Sequence, residues 1–442
     1  MITRDQVAVG LANALLAGPC NPEAFAQRLE SALGQKYRWI VPFAKRVFQH
    51  FGTRLAYAQR RELVQHIQKD TGYRKARDSL RPRIRHYYLI SPVMLPRIGA
   101  LAECILPELP TPGDLAAWLG LTVGELSWYA DPRGIIGSID GPLCHYHYKW
   151  VSKRHGDYRL IESPKDRLCA IQRKILREIL DRVPVHSAAH GFRRGHSCMS
   201  YAAQHVAKQT VLRMDLKNFF GSIAACRVNA LYQTLGYPEG TARYLTGLCT
   251  NRVPTGMFEK ISGAGQEFVV PRQERLNLST PHLPQGAPTS PALANLCSFR
   301  LDLRFDAFAK NVGADYTRYA DDLAFSGDDA FRRKVERFYI QAAAIALEEG
   351  FDVNFRKTRI MHQSNRQMLT GIVVNDKINM HRAEYDRLKA TLHNCLRFDP
   401  HTQNREGHHD YRAHLAGRIN HLKNLNQSRG AKLQALFERV EW

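Results

Sequence analysis

The stretch YTRYADDLAFSG, residues 316–327, sets two adjacent aspartates between short runs that read as strands. Side chains alternate faces along a strand, but at a tight turn two consecutive residues can both present toward one pocket. Neighbouring carboxylates repel, so without a partner their pKa values rise and the fold bears the cost. A divalent cation removes that cost. The hairpin therefore reads as one that carries Asp321 and Asp322 to a metal.

The same chemistry asks for a further acid. In VLRMDLKNFFGSI, Asp215 ends an apolar strand, where a carboxylate has no packing reason to be, and it can lie beside the hairpin in one sheet. Two metal ions about 3.5–4 Å apart, held by carboxylates, are the general solution for in-line attack on a phosphoryl group. One lowers the pKa of the attacking hydroxyl and the other steadies the leaving pyrophosphate. Hard cations with oxygen ligands point to two Mg²⁺ ions.

Lys and Arg outnumber Asp and Glu by 63 to 41, a formal net charge of +22 spread along the whole chain. Such a surface attracts a polyanion, most commonly nucleic acid, and the even spread suits enclosing that ligand more than tethering it. With 442 residues and 44% hydrophobic content, the chain can bury a large core and is expected to form two or three domains. Nine cysteines stand singly with no C-x-x-C pair, which argues against a zinc ribbon or a disulfide framework and for a reducing cytoplasm. The histidines of CHYHYKW and EGHHDYRAH lack the paired spacing of a zinc site. VAVGLANALLAGPC reads as an amphipathic helix. No run reaches the roughly 18–20 apolar residues of a membrane helix, so no membrane partner is expected.

Residues 1–105 read as helical, with apolar residues at helical intervals in TRLAYAQRRELVQHIQ and a strongly basic KARDSLRPRIRHYYL. LPTPGDLAAWLGLTVGELSWYAD follows as two short helices about a Gly-Leu-Thr turn, capped at Thr111 or Asp114. Such a pair serves either as a structural adaptor or as a DNA reader. From YHYKWVSKRHGDYRLIESP the pattern changes to strands and turns, then to a helix with Leu168, Ile171, Ile175 and Ile179 on one face. FDVNFRKTRIM and RQMLTGIVVNDKIN read as strands. After about residue 381 the chain is helical again, with Tyr411, Leu415, Ile419 and Leu422 in one apolar stripe.

Residues 150–440 resemble a bacterial reverse transcriptase of the retron or related defence-associated kind. RLIESPKDRLCAIQRKIL, AHGFRRGHS, LRMDLKNFFGSI, LPQGAPTSPALANL, RYADDLAFSG, VNFRKTRIM and LTGIVVN occur in that family's order. The resemblance implies an α+β right-hand polymerase, with fingers, an antiparallel-sheet palm flanked by helices, and a helical thumb, preceded by an extra helical N-terminal region. On it, residues 1–105 form the N-terminal extension, 106–210 the adaptor helices and fingers, 211–380 the palm with 225–285 partly in the fingers, and 381–442 the thumb.

The resemblance also assigns roles. The Leu216 carbonyl joins Asp215, Asp321 and Asp322 as a metal ligand, and Lys165, Arg167 and Lys357 grip the incoming triphosphate. Phe220 lies under the sugar and excludes a 2′-hydroxyl, while Gln285 and Gly286 track the nascent base pair. Arg193 and Arg194, between Gly191 and Gly195, suit a template cradle. Arg418 and Lys423, with Arg412, His414 and His421, suit a duplex clamp. Each has a plainer alternative: a core aromatic for Phe220, a solvated helix start for Lys165 and Arg167, a surface strand position for Lys357, and a basic turn or solvated helix face for the others.

The implied function is RNA-directed DNA synthesis from dNTPs. A dedicated noncoding RNA would be the template and, through a 2′-hydroxyl, the primer, giving a branched RNA–DNA product in antiphage defence alongside an effector protein. The basic helices of residues 1–105 are expected to contact that RNA or the effector. Of two retron elements, Val-Thr-Gly stands here as Leu369-Thr370-Gly371, and Asn-Ala-x-x-His as Asn229-Ala230 with Gln233 in the histidine position. The alternatives are a non-retron defence enzyme making untemplated or differently primed DNA, and a catalytically silent RNA-binding protein.

Overall fold

The structure, a computed structural model, describes residues 5–52, 55, 58, 60–88, 92–95, 97, 99–135, 143–152, 158–258, 262–263, 266–267 and 270–442. The chain divides into two compact units, Met1–Ile98 with Glu108–Asp114 and Leu235–Pro238, and Gly99–Pro107 with Leu115–Thr234 and Glu239–Trp442. The first is helical: α1 Gln6–Leu16, α2 Pro22–Leu33, α3 Ile40–Phe51, α4 Arg60–Lys69 and α5 Thr71–Leu80. Asp5, Asn21 and Asp70 cap α1, α2 and α5 by accepting a backbone N–H of the first turn. Leu11, Leu15, Phe25, Leu29, Phe43, Val47, Leu63 and Tyr73 meet in a core of this unit's own. The basic segment expected to run on as helix to residue 89 stops at Leu80. Arg81 turns left-handed (φ 45°), and Pro82 behind it disfavours a helical conformation at that position. Most of residues 53–59, expected to begin α4, lies outside the described residues.

Next come α6 Pro112–Leu119 and α7 Val123–Ala130. Thr111, rather than Asp114, takes the cap position of α6: its hydroxyl accepts the Asp114 N–H, and the Asp114 carboxylate accepts from Thr111 in return. β1 Tyr146–Ser152 and β2 Tyr158–Pro164 pair antiparallel. α8 Asp166–Glu178 buries Leu168, Ile171 and Ile175, and α9 Cys198–Ala203 precedes the main sheet.

That sheet is assembled from distant segments. β3 Thr210–Asp215 is followed by α10 Ala225–Thr234, α11 Glu239–Cys249, the short pair β4 Ser262–Gly263 and β5 Gln266–Glu267, then α12 Arg272–Leu278, α13 Ser290–Cys297 and α14 Phe299–Lys310. The hairpin β6 Ala314–Tyr319 and β7 Asp322–Gly327 comes next, then α15 Asp329–Arg332, α16 Val335–Glu348 and β8 Arg359–His362. The four strands pair antiparallel in the order β6-β7-β3-β8. One face packs on α14 and α16 through Phe305, Phe325 and Phe338, with Tyr316 and Phe325 a stacked cross-strand pair at 4.9 Å. On the other face Val211 and Ala324 join a core that includes Tyr201, Leu369 and Leu415. Covered on both sides, β3 and β7 are buried along most of their length.

Strand structure after residue 351 is shorter than the sequence suggested. Residues 355–357 form a turn in which the Lys357 and Thr358 N–H groups both donate to the Asn354 carbonyl (3.1 Å each), so Lys357 stands on a turn and not on a strand. β9 Met368–Leu369, β10 Ile372–Val373 and β11 Asn379–Met380 make a small sheet; Thr370 and Gly371, both left-handed, form its first hairpin turn. α17 Arg382–Arg397, α18 Tyr411–Leu425 and α19 Gln427–Phe437 close around Leu388, Leu392, Leu415, Ile419, Leu422 and Leu433. Among the described residues no helix is long and apolar enough to cross a membrane.

Candidate active site

Register brings the acids together. β3 and β7 pair so that Asp215 lies directly opposite Asp322, and Ala320 and Asp321 make the two-residue turn at the same end of the sheet. Ala320 is left-handed (φ 57°), as tight hairpins require of their first turn residue. Because strand faces alternate, Arg213 shares a face with Asp215. It reaches diagonally to Asp322, donating from Nε (2.9 Å) and Nη2 (2.7 Å) to Oδ1. Lys357 donates to Asp215 Oδ2 at 3.0 Å. The Leu216 N–H donates to the Asp321 carbonyl (2.9 Å), and the hydrogen bonds of the Leu216–Val353 bridge run from Asn354 to Asp215 and from Lys217 to Asp352. The Leu216 carbonyl takes part in none of these.

The charge balance at this end of the sheet is uneven. Burial, and then the Asp215 and Asp322 charges, push the Asp321 carboxyl up to about 6. Burial also raises Asp322, against the opposing pull of Arg213. Burial works against the Arg213 charge, but Asp322 outweighs it and holds that guanidinium above its ordinary value. Asp215 is 3% exposed, and among the described residues its buried Oδ1 has no hydrogen-bond partner. Among the described residues no three of His, Cys, Asp and Glu are drawn tightly enough together to hold an ion by themselves, and Arg213 and Lys357 pair with Asp322 and Asp215. The donor set still fits a hard divalent cation: it is oxygen only, it includes an orphaned buried carboxylate oxygen, and its acids lie close enough for two of them to push up the third.

Aromatic rings border these acids. Phe219 is buried against Phe351 (5.6 Å), whereas half-exposed Phe220 stands 6.1 Å from Phe192, itself 6.5 Å from Tyr319. The loop carrying Phe192, Arg193 and Arg194 lies against the aspartate turn: a Cβ on Gly191 would sit 2.6 Å from the Ala320 nitrogen, so only glycine permits this approach. Arg193 is half-buried, and Arg194 is exposed with Nη2 3.5 Å from Asp181.

Other expected residues gather elsewhere. Glu162 of β2 donates its N–H to the Gln285 carbonyl (2.9 Å), and left-handed Gly286 (φ 132°) leaves no room for a side chain against the Glu162 carbonyl. Lys165 precedes α8, its N–H donating to the His145 carbonyl, and Arg167 is exposed in the first turn of that helix. Behind this group Glu162 accepts from Asn251 (2.7 Å) and pairs with His282 (2.9 Å), both partners of that pair being 1% exposed. Burial opposes the His282 charge, but Glu162 more than offsets it and raises the imidazole pKa. Arg418, half-buried, and Lys423, exposed, lie on α18, and among the described residues no hydrogen bond or ion pair ties them to either group.

Two side chains at the acids escaped the sequence reading. Arg213 is signalled by its spacing of two from Asp215 on one strand, and Phe192 by a bulky ring standing between Gly191 and Arg193 in a polar loop.

Joining a polyanionic strand to a triphosphate calls for acids at one sheet end with cations around them, and the class so defined is the palm-type polymerase. The model of the family described as reverse transcriptase (RNA-dependent DNA polymerase) matches residues 151–374. The chain is 40% identical over 343 residues to the retron Mx65 reverse transcriptase of Myxococcus xanthus, spanning 77% of this chain and 74% of that one. It is 37% identical over 309 residues to the retron Mx162 reverse transcriptase of the same organism, spanning 67% and 61%. With the retron Ec86 reverse transcriptase of Escherichia coli the identity is 32% over 254 residues, spanning 57% and 70%. The chain belongs to the reverse transcriptase family, as a retron-type bacterial member, and is an RNA-directed DNA polymerase. Its partners therefore include nucleic acid, and polymerases of this family generally depend on a divalent metal.

Proposed function

We propose that this polymerase copies a dedicated noncoding RNA into DNA in the cytoplasm, using that RNA as template and its 2′-hydroxyl as primer, and that it acts with an effector protein in antiphage defence. The observation that carries the reading is the register that sets Asp215 against Asp322 beside the Asp321 turn. Similarity to three retron enzymes supports the choice of template over the non-retron alternative. Nine unpaired cysteines suit a reducing compartment.

Two Mg²⁺ ions held by Asp215, Asp321, Asp322 and the Leu216 carbonyl would lower the pKa of the attacking hydroxyl and steady the leaving pyrophosphate. Lys357, already within hydrogen-bond reach of Asp215, binds the triphosphate together with Lys165 and Arg167. Phe220, half-exposed next to Phe192, closes the space a 2′-hydroxyl would need. Gln285 and Gly286, laid on β2, follow the nascent base pair. Arg193 and Arg194 cradle the template backbone, and Arg418 and Lys423 hold the duplex. In place of the retron histidine, Gln233 donates to Asn229 within α10 (2.6 Å), so the two residues remain coupled.

The Asp321→Asn, Asp322→Asn double variant should retain RNA binding and lose dNTP incorporation; retained incorporation would overturn the assignment. Sequencing the nucleic acid that co-purifies with the wild type should reveal a branched RNA–DNA molecule. Unbranched or untemplated DNA would favour the non-retron alternative, and RNA alone with no incorporation would favour the silent binder.

A further inference from the structure

Arg318, two residues before the turn of β6, is fully buried and bound on every side. Its Nε and Nη2 donate to the two oxygens of Asp302 on α14 (2.7 and 2.6 Å), which is itself buried and accepts from the Tyr316 hydroxyl at 2.8 Å. Its Nη1 donates to Asn295 Oδ1 on α13 (3.0 Å) and to the Ala320 carbonyl (3.2 Å). Asn295 in turn donates from Nδ2 to the Gly191 carbonyl (2.8 Å), which holds the loop pressed against Ala320. The guanidinium lies 5.8 Å over the Phe219 ring, and the Arg318 backbone bonds Ala188 and His190 of the same loop.

A buried arginine–aspartate pair is weak evidence for stability, because apolar residues of similar volume often do as well or better. This pair is set apart by where its remaining hydrogen bonds go. One goes directly to Ala320, a non-glycine residue in the left-handed region immediately before Asp321, and the other to Asn295, which holds the Gly191 loop against that residue. Alanine prefers not to adopt that conformation, and such strain persists only where the surroundings over-determine it. We propose that Arg318, braced by Asp302 and Asn295, is a positioning residue that pins the strained Ala320 turn so that Asp321 and Asp322 face Asp215. The proposal rests on the polymerase reading and assigns these three residues a part in it through the acids, without contact with substrate.

The test uses the full-length chain. Arg318→Lys keeps a positive charge for Asp302 but cannot also reach Ala320. It should fold, and bind Mn²⁺, followed by electron paramagnetic resonance without substrate, about tenfold more weakly than wild type. The Mg²⁺ concentration for half-maximal incorporation should rise by a similar factor while the KM for dNTP stays put. A second variant, Asp302→Leu with Arg318→Met, removes both charges together and should show the same weakening at a melting temperature near wild type. Wild-type Mn²⁺ affinity in either folded variant overturns the positioning role. So does loss of fold in both, because the network would then carry the whole sheet and not the turn. If the wild type itself binds no Mn²⁺ and makes no DNA, the polymerase reading fails as well; if it does both and the variants match it, only this inference fails.

Discussion

Asp321 carries the electrostatic tension of the site. Its carboxyl is pushed from the ordinary 3.8 up to about 6 by burial and by two neighbouring acids, so with no added metal and between about pH 4 and pH 6 the native state holds a proton there that the unfolded chain has already lost. Stability then falls as pH rises from about 4 to above 6, by about 3 kcal/mol in all. In EDTA at pH 8, Asp321→Asn should therefore melt higher than wild type, and the gap should vanish near pH 4; a variant no more stable at pH 8 would show that Arg213 and Lys357 already balance the charge. For the Mg²⁺ site proposed at Asp321, the same titration predicts a steep rise in the Mg²⁺ requirement for incorporation below pH 6, because the ion would have to displace that proton. Residue types alone pointed to the three acids. They did not point to Arg213 or Arg318 as partners, because an arginine on an apolar strand reads the same whether it faces solvent or a buried carboxylate.

Helices and strands were legible where periodicity is local. The Leu168, Ile171 and Ile175 stripe of α8 and the Leu415, Ile419 and Leu422 stripe of α18 are buried as the pattern implies. The pattern failed at element ends, where one hydrogen bond or one backbone angle decides: Arg81 ends α5, and the Asn354 carbonyl folds Lys357 into a turn. Close packing between elements was equally hidden. A Cβ on Gly247 of α11 would lie 1.9 Å from the Ala130 carbonyl oxygen of α7, so these helices meet backbone to backbone. Gly247→Ala should cost about 2–3 kcal/mol by forcing them apart. Denaturant unfolding checks this, and an unshifted midpoint would show that the two helix backbones are not in contact at Gly247.

At the scale of the whole chain, a net charge of +22 makes nucleic-acid affinity salt-dependent. Removing Arg418 and Lys423 together, by substitution to Ala, should weaken duplex binding uniformly across sequences and reduce the slope of log affinity against log salt by about two, one for each phosphate no longer neutralised. An unchanged slope would return both residues to a solvated helix face. The division of the chain is itself a tertiary result: Leu235–Pro238 clusters with Met1–Ile98, where the Leu95 N–H beyond the helices donates to the Gly236 carbonyl at 2.9 Å, and no linker composition marks that. Sequence by itself determined the chemistry on offer, namely three acids, an excess of cations and the helical or extended habit of each segment, because charge and periodicity belong to residues and their near neighbours. Only the tertiary structure decided that Asp215 faces Asp322, that Arg213 and Lys357 answer the acids, and that a buried Arg318 braces the turn. The register of the acids and the partners of Asp322 and Asp215 depend on groups more than a hundred positions apart, and the Arg318 partners lie on separate helices and a turn, which no local pattern records.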